Sequence, residues 1–359
     1  MIKTCEEEAK NKRIVKLINK LYIENDLRDD ELLWLIDNID DESKRYLFAL
    51  SEDTRRIYYG KSVYLRGLIE FTNYCRRECK YCGINVFNKS VKRYRLSKKE
   101  ILDTCIKGNE LGFKTFVLQG GEDPYFTDKI ICDIVTSIKK MIPDCAVTLS
   151  VGERSYDSYK TLKIAGVDRF LLRHETANEE LYRWLHPYSY LHSRVECLKN
   201  LKSLGYQTGA GFMVGLPWYK SEDYVKDLRF LKNLQPEMVG IGPYITHEDT
   251  SMKNYKSGDL ETTLLMLALI RLLLPKVLLP ATTALGSISP DGRRRGIELG
   301  ANVIMPNLTP VVNRGNYSIY NNKKISGSES AEALQMIKDD INSYGYYCDM
   351  GRGDSKMIY

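Results

Sequence analysis

Cys75, Cys79 and Cys82 stand in the run Tyr74-Cys-Arg-Arg-Glu-Cys-Lys-Tyr-Cys-Gly83, a C-x3-C-x2-C spacing. Three thiolates fit three corners of a cubane iron-sulfur cluster and leave the fourth iron without a protein ligand. Zinc asks for four closed ligands, or three plus water, and its cysteines usually come as two spaced pairs. No second pair is present, and Cys5, Cys105, Cys132, Cys145, Cys197 and Cys348 are scattered singly, as packed apolar cysteines often are. A structural zinc site or an adventitious loop cluster is the alternative. Other residue runs that could do chemistry are Gln119-Gly-Gly-Glu-Asp123, Thr148-Leu-Ser-Val-Gly-Glu153, Arg169-Phe-Leu-Leu-Arg-His-Glu175 and Pro280-Ala-Thr-Thr283. Paired glycines let a backbone approach a ligand, and carboxylates hold an ammonium group.

Each of these runs sits at the end of a short apolar segment. Strand-like runs are predicted at 63–71, 114–118, 145–150, 168–173, 207–214, 237–243, 277–281 and 302–305, with helical patterns between them, among them Glu179 to Leu204 and Pro290 to Leu299. Alternating strand and helix means a parallel sheet. Eight units in this length predict an α/β fold of the (β/α)8 barrel type, with an open doubly wound sheet as the alternative. Barrel active sites lie at the C-terminal ends of the strands, where the triplet and the other runs fall. The expected organisation is an N-terminal helical extension over 1–60, the barrel over 61–310, and a C-terminal extension over 311–359 that closes it. That extension is a polar, turn-rich stretch to Ser330 followed by a helix from Ala331 to Tyr344.

Period-two alternation in the fourth run places Arg169, Leu171, Arg173 and Glu175 on one face and Phe170, Leu172 and His174 on the other. The apolar set must cover the helix side, so two arginines point into the barrel, which is expensive unless they are paired or bind something. An internal salt-bridge layer explains Arg169 as well as a functional role does; Arg173 and Glu175 read as ligand groups. Thr282 and Thr283 offer hydroxyls to an anion, or cap the following turn.

The 359 residues carry 53 basic and 47 acidic side chains, a net +6 without a polybasic block, which speaks against nucleic-acid or membrane partners. The apolar stretch Leu264–Leu274 is too short to span a bilayer. Met1–Lys20 has no apolar signal core, so a cytoplasmic location is expected.

The cysteine triplet after the first strand, with Tyr81 between its second and third members, resembles the signature of the radical S-adenosylmethionine superfamily. More specific are Arg173-His-Glu-Thr-Ala-Asn178, Thr208-Gly-Ala-Gly-Phe-Met-Val-Gly-Leu-Pro217, Val239-Gly-Ile-Gly-Pro243, Pro280-Ala-Thr-Thr-Ala284 and Gly300-Ala-Asn-Val-Ile-Met-Pro-Asn307. These resemble the HydE family, radical maturases that help assemble the active-site cluster of iron-iron hydrogenase. The resemblance implies that Cys75, Cys79 and Cys82 hold one 4Fe-4S cluster. It implies that Gly121, Glu122, Thr148, Glu175 and Arg194 contact S-adenosylmethionine, with Tyr81 near its adenine. Arg169, Arg173, Thr282, Thr283, Met305, Tyr317 and Tyr320 would line the inner cavity. The implied substrate is a small organometallic unit, a cysteine-bound iron-carbonyl-cyanide precursor. The implied partners are a ferredoxin- or flavodoxin-like electron donor and other hydrogenase maturases. Some family members carry three more cysteines after the eighth strand for an accessory cluster; here none lies between Cys197 and Cys348, so no second cluster is expected there. Methylornithine synthase, which shares the architecture, and a non-enzymatic cysteine-cluster protein that binds nucleic acid or scaffolds a partner are the competing functions.

Overall fold

The computed structural model describes residues 5–324 and 331–357; the end of the polar stretch expected to reach Ser330 lies outside these. Eight parallel staves close on themselves. The first runs from Ser62–Leu65 into Gly67–Thr72, and its upper half pairs with Thr115–Gly120. From there the sheet continues through Ala146–Ser150, Arg169–Leu171, Gln207–Ala210 and Met238–Val239. Met238 then bridges to Leu278, and Pro280 to Val303. The eighth stave, Val303–Ile304, pairs with Tyr64 and Leu65, which closes the ring.

Side-chain caps set where the intervening helices begin. Ser97, Thr127, Ser155, Asn178 and Asp259 each accept a hydrogen bond from a backbone N–H in the first turn of the helix that follows. The helix Leu260–Leu273 is buried from Thr263 onward, because the N-terminal helix Asp41–Tyr59 covers the side turned away from the barrel. Its apolar run is therefore core, and among the described residues no helix is long and apolar enough to cross a membrane.

Three expectations are corrected. The single helix expected from Glu179 to Leu204 is two, Glu179–Leu185 and Leu191–Ser203, because Pro187 lacks an N–H and disfavours a helical residue before it. The seventh strand, expected over 277–281, survives only as the two bridges named above; Pro280 cannot donate to a ladder. The helix expected over Pro290 to Leu299 is shorter, Gly292–Glu298, and is preceded by a separate helix, Thr283–Ile288.

One strand has no counterpart in the sequence reading. Tyr347–Asp349 runs parallel to Ser62–Leu65, and the residues after it enter the N-terminal end of the barrel. There Asp354 accepts from Arg169 Nη2 at 2.6 Å and Gln207 Nε2 at 2.7 Å, while the Gly353 carbonyl accepts from Arg66 Nη2 at 3.2 Å. This tail is the floor of the barrel.

Candidate active site

The three cysteines lie in the loop that leaves the top of the first stave, each partly buried. Burial pushes all three thiols up: Cys79 well above its ordinary value, with Cys82 and Cys75 adding to the effect, and Cys82 to about 12, again reinforced by Cys75. Three thiols whose thiolates are disfavoured by burial ionise readily only beside a strongly positive centre. A cluster with iron at its corners is such a centre. Among the described residues no three Cys, His, Asp or Glu side chains are gathered tightly enough to ligate a single metal ion.

The second stave ends under this loop. A side chain on Gly121 would begin 2.2 Å from the Tyr74 carbonyl and 2.6 Å from Cys75 Cβ, so the glycine is what lets the cysteine loop lie down there. Glu122 follows it, buried, accepting from Arg77 Nε at 2.6 Å and from the Glu153 N–H at 3.0 Å. Glu153 in turn binds Arg77 at 2.8 Å and Arg194 Nε at 2.6 Å. Arg194 reaches this network from the helix Leu191–Ser203 and donates through Nη1 to the Arg173 carbonyl, and among the described residues Nη2 makes no hydrogen bond. Burial alone would lower its pKa, but Tyr182, Glu153 and Glu175 outweigh that and hold it charged.

Glu175 sits in the left-handed region with φ +66°, a conformation that costs a non-glycine residue about 1–3 kcal/mol and persists where surroundings enforce it. Its N–H donates to the Gly211 carbonyl and its own carbonyl accepts from Met213, so stave five holds it in place. Glu175 Oε2 is 3.3 Å from Arg173 Nη2 but makes no hydrogen bond. Arg173 Nε, Thr148 Oγ1 and Thr282 Oγ1 are likewise buried without hydrogen-bond partners. Thr148 pairs in register with Arg169 and so shares its inward face. Thr282 precedes the helix Thr283–Ile288 yet does not cap it, and its hydroxyl points across to Gly242 at the end of stave six. Buried polar atoms left this way cost free energy, and such a cluster marks where a ligand belongs.

Tyr81, inside the triplet, is fixed by His186. Burial, followed by the Arg194 charge, pushes His186 down to about 3, so its ring is neutral. Its Nδ1 faces the Tyr182 carbonyl at 3.0 Å and must carry the proton; Nε2 therefore accepts from the Tyr81 hydroxyl at 3.0 Å.

The roof is the segment after stave eight. The Asn316 carbonyl accepts from Asn73 Nδ2, and the Ile319 carbonyl from the N–H of Gly83, the residue after Cys82. Tyr317 is buried beneath it, its hydroxyl accepting from Gln119 Nε2 at 3.3 Å; Tyr320 and Thr283 are partly exposed beside it in sequence and across the mouth. Met305 packs partly buried against the layer of Met238, Leu278 and Val303.

Arg169 departs from the expectation that it lines the cavity with Arg173. It is fully buried, and its guanidinium is taken up by Asp354, the Arg352 carbonyl, Gln207 and Thr115. It starts the stave whose C-terminal end carries Arg173, so its charge is neutralised at the floor. Sequence reasoning also missed Glu70, fully buried, ion-paired with Lys323 and accepting from Asn307 Nδ2 at 2.9 Å. Alternation in the first stave places it inward with Leu68, a signal available in the sequence. Arg77, Glu153 and His186 were missed because nothing local marks them; distant chain segments bring them together.

A family model described as the radical SAM superfamily matches residues 69–231. The chain is 51% identical to the [FeFe] hydrogenase maturase subunit HydE of Thermotoga maritima, over 87% of this chain and 89% of that protein. It is 30% identical to 3-methylornithine synthase of Methanosarcina acetivorans, over 77% and 79%. Among solved structures it superposes on methylornithine synthase PylB with a TM-score of 0.79 at 24% identity, covering 93% of this chain and 97% of that one. The maturase HydG gives 0.80 at 19%, covering 94% and 76%. The two superpositions establish that the α/β barrel fold is shared with these proteins. The thiol loop, the strained glutamate and identity at half of the aligned positions together place this chain in the HydE family of radical S-adenosylmethionine enzymes.

Proposed function

We propose that Cys75, Cys79 and Cys82 hold a single 4Fe-4S cluster with S-adenosylmethionine beside it. The chamber beneath would then receive a small, anionic, iron-bound precursor of the hydrogenase diiron site. The observation that carries this reading is the set of buried atoms without a hydrogen bond among the described residues, Thr148 Oγ1, Arg173 Nε, Glu175 Oε2 and Thr282 Oγ1, together with three buried thiols at the top of the first stave. When bound, the reduced cluster supplies one electron that splits S-adenosylmethionine to methionine and a 5'-deoxyadenosyl radical.

The chain's own residues bind and orient. Arg194 offers its remaining N–H pair to the methionyl carboxylate, and Glu175, aimed by its backbone, takes the ammonium together with the backbone at Gly121. Glu122, committed to Arg77, sets the shape of that corner. Tyr81, pinned by His186, packs at the adenine, and Thr148 donates to the ligand. Arg173, Thr282 and Thr283 supply donors and positive charge to the substrate chamber, while Met305, Tyr317 and Tyr320 exclude water from it. Glu70, already neutralised by Lys323, does not compete as an anion, which suits a negatively charged substrate better than the ammonium of lysine. The electron comes from a ferredoxin- or flavodoxin-like carrier in the cytoplasm, and the product passes to other maturases; neither nucleic acid nor membrane takes part. Residues 1–60, 61–310 and 311–359 act as helical extension, catalytic barrel and closing segment.

The test is anaerobic reconstitution with iron and sulfide, then rescue of hydrogenase maturation in an extract lacking its own HydE. Wild type is expected to rescue, and the triple Cys→Ala variant to bind no cluster. About four irons retained by that variant, or 3-methylornithine formed from lysine without rescue, refutes the reading.

A further inference from the structure

Between Thr72 and the helix beginning at Lys98 the chain has no helix and only one bridge, Thr72 to Arg95, so the loop's peptide groups need other partners. One side chain alone serves four of its carbonyls. Arg93 Nη1 donates to the carbonyls of Asn73 at 2.5 Å and Ile84 at 2.8 Å; Nη2 donates to those of Asn85 at 2.6 Å and Asn88 at 3.0 Å. Two asparagines extend the pattern, Asn85 Nδ2 to the Cys82 carbonyl at 2.6 Å and Asn88 Nδ2 to the Gly83 carbonyl at 2.7 Å.

In a trans peptide the N–H points away from the C=O. The Gly83–Ile84 peptide has its carbonyl held by Asn88, which fixes the direction in which the Ile84 N–H points. At the loop's other end the Arg77 N–H lies 3.4 Å from Cys75 Sγ. Hydrogen bonds to the sulfurs are one of the levers that set a cluster's potential.

We propose that Arg93 is the positioning residue of the cysteine loop: by collecting four main-chain carbonyls it presets the conformation in which amide N–H groups face the cluster-binding sulfurs, before any iron arrives. This rests on the assignment of Cys75, Cys79 and Cys82 as cluster ligands. A lysine keeps the charge but has three donors on one point, and cannot serve carbonyls spread from Asn73 to Asn88.

Arg93→Lys and Arg93→Met therefore form the test, with Asn88→Ala as the milder variant that frees the Gly83 carbonyl together with the Ser90 N–H and Asp249. Hydrogen exchange of the iron-free full-length proteins is expected to show amides in 74–88 exchanging about tenfold faster or more in both Arg93 variants. In Asn88→Ala the Ile84 and Ser90 amides should quicken, with the rest of the barrel unchanged. After reconstitution, both Arg93 variants should lose iron to a chelator faster and show a more negative midpoint potential than wild type. Wild-type exchange in Arg93→Lys, or a wild-type Ile84 amide in Asn88→Ala, overturns the proposal even if Arg93→Met fails to fold. Should wild type itself take up no iron, the ligand assignment fails, and the iron-free exchange comparison still decides whether Arg93 sets the loop.

Discussion

Asp354→Leu removes the carboxylate bonded to Arg169 and leaves a fully buried guanidinium at the barrel floor. Breaking one partner from a buried ion pair costs about 3–5 kcal/mol. The Asp354 side chain is 42% exposed, and Arg169 keeps Thr115, Gln207 and the Arg352 carbonyl, so screening and the surviving acceptors bring the expected loss to about 2–3 kcal/mol. Urea unfolding of Asp354→Leu, Arg169→Met and the double variant measures this as a cycle. The double variant should be more stable than the sum of the single losses predicts, with a coupling of about 1–3 kcal/mol. The pH dependence carries a sign. Burial raises the Asp354 carboxyl, but hydrogen bonds from Arg352 and Gln207 and the Arg169 charge hold it well below the usual carboxylate range. Its contribution is therefore complete above the unfolded value of about 3.9 and is lost as pH falls through the folded one. The gap between wild type and Asp354→Leu should be flat from pH 7 to 5 and shrink below about pH 4. A loss under about 0.5 kcal/mol without coupling refutes the floor assignment. So does a folded Arg169→Met protein that binds S-adenosylmethionine normally yet has lost maturation activity, because that would put Arg169 back in the substrate chamber.

Gly121→Ala places a methyl group against the Tyr74 carbonyl and Cys75, so the protein is expected to fold by circular dichroism but to take up less than half of the wild-type iron, in order-of-magnitude terms a failure of loop seating rather than of stability. His186 is neutral in the fold with its pKa near 3, below the ordinary value, so wild type should lose stability as pH drops below about 6.5, at up to about 1.4 kcal/mol per unit. His186→Phe should lack that slope, and both it and Tyr81→Phe should weaken binding of S-adenosylhomocysteine by calorimetry. An equal slope in His186→Phe contradicts the assignment. Thr282→Val removes a buried hydroxyl without a partner; urea unfolding should show stability unchanged or up by about 0.5–1 kcal/mol while maturation activity falls at limiting substrate, and a destabilised, fully active variant would show that the hydroxyl serves the fold.

The barrel was legible in the sequence because each stave is a short apolar run with an abrupt end, and the cysteine triplet because its spacing is local. Period-two reading put Arg173 and Glu175 on one face with Arg169. It could not tell that Arg169, on the same face, meets a carboxylate 185 residues later, since the pairing is set by the tail and not by the stave. The same limit hid the Glu122–Arg77–Glu153–Arg194 chain, which joins four separate segments. Glu70 was within reach: it alternates inward in a stave already identified.

The pairing of Ser62–Leu65 with Tyr347–Asp349 spans a sequence separation of 285 residues, so during synthesis the first stave waits for its last neighbour. At about 5–20 residues per second that wait is roughly 15–60 s. Until the tail is made, Arg66 lacks the Gly353 carbonyl and Arg169 lacks both Asp354 and the Arg352 carbonyl, so a chain that stops short of Asp354 carries a guanidinium inside the barrel without its carboxylate.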